Sequence, residues 1–111
     1  MLLDFWATWC DPCATEIPHL KDAWEAFGKD DRFTMIGLSL DSKYDAPRQF
    51  ARTNGIGWAQ GFLGEWSKTS VPKDCAVEGI PAVFLLAPDG KILAKELRGP
   101  AIKAAVAKAL R

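Results

Sequence analysis

Long apolar runs are missing from this chain of 111 residues. The longest, AVFLLA at 82–87, falls far short of the roughly 20 residues that a membrane-spanning helix needs. Excess charge is missing too: Lys and Arg number 14, as do Asp and Glu, and the charges are scattered. No basic stripe speaks for nucleic acid, and no basic amphipathic helix for a membrane surface. Cysteine is scarce. Three residues do not make a disulfide-stapled mini-protein, and one close pair with Cys75 far off suggests chemistry instead. Repeats, low-complexity tracts and linkers are absent. So is a signal peptide, since no basic segment leads the chain and Asp4 interrupts its opening apolar run. That absence excludes little, because the chain opens inside what reads as a core strand. The expectation is a fragment or domain of a longer chain, with a leader and upstream strands removed.

What is present is enough hydrophobic content, 49%, to fold as a single domain over residues 1–111. LLDFW reads as a strand. Ile17, Leu20, Trp24 and Phe27 then recur at steps of three and four, the stripe of a helix lying on a sheet. Pro18 is expected to kink that helix and Gly28 to end it. FTMIGLSL is the next strand. DAPRQFARTNG follows as a helix with Asp45 as N-cap, Pro47 in its first turn and Asn54-Gly55 as its stop. A short strand is expected near 58–61 and a short helix near 72–76. PAVFLLA and KILAKEL, joined by the turn PDG, read as a β-hairpin. Gly99-Pro100 opens a last helix with Ile102, Ala105, Val106, Ala109 and Leu110 on one face and Lys103, Lys108 and Arg111 on the other. The class is α/β. A strand–helix–strand opening implies a parallel pair with a right-handed crossover, to which the hairpin adds antiparallel strands.

Cys10 and Cys13 stand at the junction of the first strand and helix, in the stretch FWATWCDPCATEIPHL. Cys10 at the helix N-cap meets unpaired N–H groups and the positive end of the helix dipole, which stabilise a thiolate, the nucleophilic form. Cys13, one turn in, is close enough to form a small-ring disulfide. Cys10 can then attack a disulfide of a partner and Cys13 resolve the mixed disulfide. Pro12, at the second helical position, removes a donor that would be orphaned there anyway.

LLDFWATWCDPC resembles the active-site strand and turn of the thioredoxin superfamily. The run C-x-x-C-x-x-E-x-P, here Cys10 to Pro18, is similar to the TlpA/ResA-like branch of exported thiol-disulfide oxidoreductases, and GIPAVFLLAPDGKIL resembles that branch's cis-proline strand and hairpin. The likeness covers nearly the whole chain. It implies a thioredoxin fold, a central mixed sheet flanked by helices on both faces, with an insertion between the second strand and the cis-proline strand. The family's N-terminal strands would be lacking, leaving a sheet edge open to weak dimerisation. By the same resemblance Cys10 is the attacking and Cys13 the resolving cysteine. Pro81 is a cis-proline facing them, and Ile80 offers backbone hydrogen bonds to an extended substrate segment. Trp9, with Asp11 and Pro12, would contact the substrate; Trp6 and Trp9 would wall the site and Gly99 would lie near it. The candidate catalytic residues are thus Cys10, Cys13, Asp4 and Glu16.

The two acids carry different arguments. Asp4 lies in a strand expected to be covered on both faces, where an unpaired carboxylate is costly and its pKa rises. The resemblance makes it a proton shuttle beneath Cys13. Glu16, read as a first-turn acid, matches the motif's glutamate and would tune Asp4. Thioredoxins usually pair the buried acid with a lysine on the next strand; Gly37 stands there, and a water or Glu16 would take over. Asp11, beside Cys10, opposes a thiolate and so leans the pair toward a reductant.

Other readings stay open. Cys75 and His19 nominally complete a Cys₃His zinc set with the pair, although His19 is turned away from the helix N-terminus. Taken singly, Cys75 reads as a buried small hydrophobe and His19 as a helix-surface residue. Tyr44, Trp58 and Trp66 either line a partner-binding face on the insertion or are packing. A peroxiredoxin-type peroxidase would need a threonine and a proline upstream of its attacking cysteine, and that context is missing here. The expected function is reduction of protein disulfides with no cofactor beyond the Cys10–Cys13 pair, no metal and no nucleic acid. An oxidase of the same fold and a Cys/His metal carrier are the alternatives. By the resemblance the partners are cysteine-containing proteins, with a membrane thiol reductant as electron donor, and the compartment is an exported one.

Overall fold

The computed structural model describes residues 1–111. Strand β1 (Leu2–Trp6) lies at the centre of a five-stranded sheet. It pairs in parallel with β2 (Met35–Ser39), Asp4 opposite Gly37, and antiparallel with β4 (Ala82–Leu86), Asp4 opposite Val83. Strand β3 (Ala59–Phe62) lies parallel to β2 at one edge, and β5 (Ile92–Ala94) lies antiparallel to β4 at the other. The mixed sheet is the expected one. Because β1 is paired on both sides, the free edges of the sheet are those of β3 and β5.

Alternation divides β1 between two cores. Leu2 packs with Leu20 and Ala23 of α1 (Asp11–Phe27) and with Ile102 and Val106 of α4 (Pro100–Ala109). Phe5 faces the other way, edge-on to Phe84 with ring centroids 6.0 Å apart, under Val77 and Val71. Each fully buried side chain of this size contributes about 1.5–3 kcal/mol. The second face is covered mostly by the irregular segment 63–80, whose helices are only a 3₁₀ turn (Trp66–Lys68) and a single-turn α3 (Val71–Asp74).

Helix α1 runs through Pro18 without ending there. It stops at Gly28, whose φ of −61° is ordinary. Glycine is required there for space: a Cβ would meet the Trp24 carbonyl at 2.6 Å and its ring at 2.8 Å. In α2 (Asp45–Thr53) the N-cap is Tyr44, so Asp45 is the first helical residue and not the cap expected of it. Asn54 and Gly55 (φ +64°) close the helix as expected. Helix α2 and β3 fill the predicted insertion. Trp58 is 4% exposed and stacks edge-on with Trp24, so it is core and no part of a partner face. Tyr44 and Trp66 do stay exposed, Tyr44 against Phe62 and under the Arg48 guanidinium.

Candidate active site

Cys10 is the N-cap of α1, and its Sγ accepts the Cys13 N–H at 3.2 Å. The helix end thus points a backbone donor at the sulfur that would carry charge. The two cysteines are joined as a disulfide with Cα atoms 5.2 Å apart, and both are buried with Trp6 and Ala7, against Phe50 and Ile80. The lip is exposed: Trp9 (65%), Asp11 and Pro12 stand in water around the sulfurs. Trp6 walls the site from within, packed against Cys10 and Cys13. It is buried, stacks on Phe50 at 5.3 Å and donates its indole N–H to Gln60 Oε1 at 3.1 Å. The Ile80–Pro81 bond is cis.

Asp4 is buried on the face of β1 that also carries Trp6, and its Oδ1 has no hydrogen-bond partner. Loss of water pushes its carboxyl up from an ordinary 3.8 to about 7; the Arg98 guanidinium draws it down, and the negative charge of Glu16 adds to the rise. Such a group can take or give a proton near neutrality. Glu16 is buried as well, six positions into α1 and so beyond the first turn in which the sequence reading put it. Its Oε2 accepts the N–H of Gly99, 2.9 Å away, at the start of α4. Gly99 (φ +57°) therefore does lie beside the active-site helix. Opposite Asp4, the space over Gly37 where the family's lysine would stand is taken by the Gln60 side chain. A Cβ there would meet Gln60 Oε1 at 2.6 Å, because the Gln60 side chain lies over the glycine to reach Trp6.

Two residues escaped the sequence reading. Asp41, 2% exposed, accepts Thr8 N–H (3.1 Å), Thr8 Oγ1–H (2.5 Å) and Ser39 Oγ–H (2.6 Å). It thereby ties the turn leading into Cys10 to the end of β2. Arg98 donates from Nη2 to the Pro81 carbonyl and from Nη1 to its neighbour Leu97's carbonyl at 3.0 Å. Neither is marked in the sequence, for the bonds that tie them to the site, Thr8 to Asp41 and Arg98 to Pro81, span 33 and 17 residues. Cys75 is exposed, against the expectation of a buried residue, and ends α3. His19 lies near Gly99 instead, and no three His, Cys, Asp or Glu side chains converge as a metal site would require. The Cys₃His set is therefore not assembled.

A family profile described as thioredoxin-like matches residues 1–92. The chain belongs to that family. It is 30% identical over 93 residues to the thiol-disulfide oxidoreductase ResA of Oceanobacillus iheyensis, an alignment covering 83% of this chain and 46% of ResA. It is 28% identical over 107 residues to the thiol:disulfide interchange protein HelX of Rhodobacter capsulatus, covering 96% of this chain and 56% of HelX. The chain thus spans about half the length of these curated relatives. Among solved structures, the thioredoxin domain of a thiol-disulfide oxidoreductase from Bacteroides vulgatus superposes with a TM-score of 0.90 at 34% identity, over 99% of this chain and 78% of that one. A thiol-disulfide oxidoreductase from Bacteroides fragilis gives 0.86 at 32%, over 97% and 79%. The fold is the one these thiol-disulfide oxidoreductases share, and this chain carries in it the Cys10–Cys13 disulfide.

Proposed function

We propose that this domain reduces disulfides of cysteine-containing proteins by dithiol–disulfide exchange. The observation that carries the reading is the Cys10–Cys13 disulfide at the N-terminus of α1, with the Cys13 N–H on the Cys10 sulfur. In the reduced protein the Cys10 thiolate attacks one sulfur of a substrate disulfide, forming a mixed disulfide and expelling a substrate thiolate. Cys13 then gives its proton to Asp4 and attacks the Cys10 sulfur. That breaks the mixed disulfide, releases the second substrate thiol and leaves the Cys10–Cys13 disulfide. Two electrons have passed to the substrate, and a membrane thiol reductant would return them. Asp4, desolvated and titrating near neutrality, suits the proton-carrying role; Glu16 holds Asp4 in that range and braces α1 against α4. Exposed Trp9, Asp11 and Pro12 meet the substrate beside Ile80 and Pro81. A cavity of about 540 Å³, lined at one end by Cys75, continues from the cis-proline past Val77, Phe84 and Arg98 without reaching Cys10 or Cys13, room for a substrate segment running along the strand.

Asp11, the first residue of α1, sets a negative charge against the Cys10 thiolate, which favours the oxidised pair and so a reductant. Its exposure lets water weaken the effect. An exported compartment follows the resemblance to the TlpA/ResA-like branch, and oxidising compartments are where a dedicated reductant is needed. The test uses Cys13→Ser, which removes the resolving thiol. Incubated with a disulfide-bonded protein such as insulin, it is expected to accumulate a mixed disulfide through Cys10, visible by mass, while the native chain turns over. Labelling absent from Cys10, or turnover surviving in Cys10→Ser, would overturn the assignment.

A further inference from the structure

Burying a carboxylate on the central strand calls for a counter-charge, and β2 does not supply one. Position 37 is glycine and the space over it holds the neutral amide of Gln60. Val83 faces Asp4 from β4. Helix α1 brings a second negative group, Glu16, together with the paired cysteines. On α4, Lys103 and Lys108 are exposed, as are Arg48 and Arg52 on α2. Arg98, from the loop between β5 and α4, is exposed too, but its guanidinium is anchored on the Pro81 carbonyl and its charge acts on Asp4. There three consecutive residues each make a long-range bond. Leu97, buried, donates its N–H to the Val83 carbonyl at 3.3 Å. Arg98 donates to the Pro81 carbonyl. Gly99 donates its N–H to Glu16 at 2.9 Å.

We infer that Arg98 is a positioning residue of the exchange site: held on the Pro81 carbonyl, its guanidinium is the counter-charge of Asp4, and the Leu97–Gly99 strap that carries it couples the cis-proline strand to the helix of the cysteines. The guanidinium is well placed for this because its fork spends donors on two carbonyls and keeps a fixed positive charge that never deprotonates. Charge reaches the buried acid from the rim, so the acid has a partner without being locked in a direct ion pair that would hold it ionised. Much of the Arg98 side chain is in water, so the coupling is modest and screened by salt. Its consequence for exchange rests on the reading of Asp4 as the proton carrier for Cys13.

The test is a carboxyl ¹³C NMR titration of Asp4 in the oxidised protein, beside the pH profile of exchange with a disulfide-bonded substrate. Arg98→Gln keeps a donor for the Pro81 carbonyl and removes the charge. It is expected to move the Asp4 midpoint upward from about 7, by about half a unit, and to move the exchange profile with it. Arg98→Lys keeps the charge and is expected to restore most of the shift, which a purely structural role of the fork would not do. High salt is expected to carry the native chain toward the Arg98→Gln midpoint. An unchanged midpoint in Arg98→Gln, or Arg98→Lys behaving like Arg98→Gln, overturns the inference. A midpoint that moves while the exchange profile stays fixed supports Arg98 as the counter-charge and counts instead against Asp4 as the proton carrier.

Discussion

Asp4 and Asp41 are both buried carboxylates in or just beyond neighbouring strands, 6% and 2% exposed, and they live under opposite conditions. Asp41 is surrounded by donors: Thr8 gives it a backbone N–H and a hydroxyl, and Ser39 a second hydroxyl. Its negative charge is solvated by the protein, and it fixes the turn that presents Cys10. Asp4 has an oxygen with no partner and a carboxyl pushed up to about 7. The same side chain therefore serves as architecture where its lone pairs are filled and as chemistry where they are not.

The two should respond to removal with opposite signs. Asp4 titrates at an ordinary 3.8 unfolded and at about 7 folded, so between those values the folded chain holds the proton more tightly. The contribution to stability is fully present below about pH 4 and is lost as pH rises through about 7. A little over three units at 1.36 kcal/mol each sets an upper bound of about 4 kcal/mol. Asp4→Asn is accordingly expected to stabilise the oxidised protein against urea by up to that amount at about pH 8, with no gain at about pH 4, while exchange slows. Asp41→Ala is expected to do the reverse, costing about 3 kcal/mol in the same assay, because it strands three donors. A matching sign for the two substitutions at pH 8 would dissolve the comparison. Glu16→Gln should have the smallest effect. Its amide oxygen still accepts the Gly99 N–H, so urea stability should change by about 0.5 kcal/mol or less. The Asp4 midpoint, relieved of a negative neighbour, should fall in an NMR titration.

The periodic elements were readable from the chain because burial forces their pattern. Ile102 and Val106 lie one turn apart on α4 and both face the core, and Asn54-Gly55 closes α2 through a positive φ at Gly55. The cysteine pair and the cis Ile80–Pro81 bond were legible through local motifs. The surroundings of Asp4 were not. That Gln60 would occupy the space above Gly37, that Arg98 would reach the Pro81 carbonyl and that Glu16 would brace Gly99 depend on contacts spanning 54, 17 and 83 residues. Nothing local in the chain marks them. Trp58 stayed undecided between packing and a partner face, and Cys75 went astray, for a related reason. Residues 56–79 carry little periodicity, so nothing in the pattern shows that Trp58 turns inward against Trp24 while Cys75, at the end of a single helical turn, turns out.

Reductant and oxidant are told apart by the reduction potential of the Cys10–Cys13 pair, obtained by equilibrating the protein in dithiol/disulfide buffers, alkylating, and counting oxidised and reduced forms by mass. A reductant of protein disulfides is expected to show reversible exchange near or below the thioredoxin value of about −270 mV. A potential near about −120 mV would make the domain an oxidant and contradict the proposed direction of electron flow. Failure to form a reversible Cys10–Cys13 disulfide in the folded protein would contradict the exchange mechanism itself.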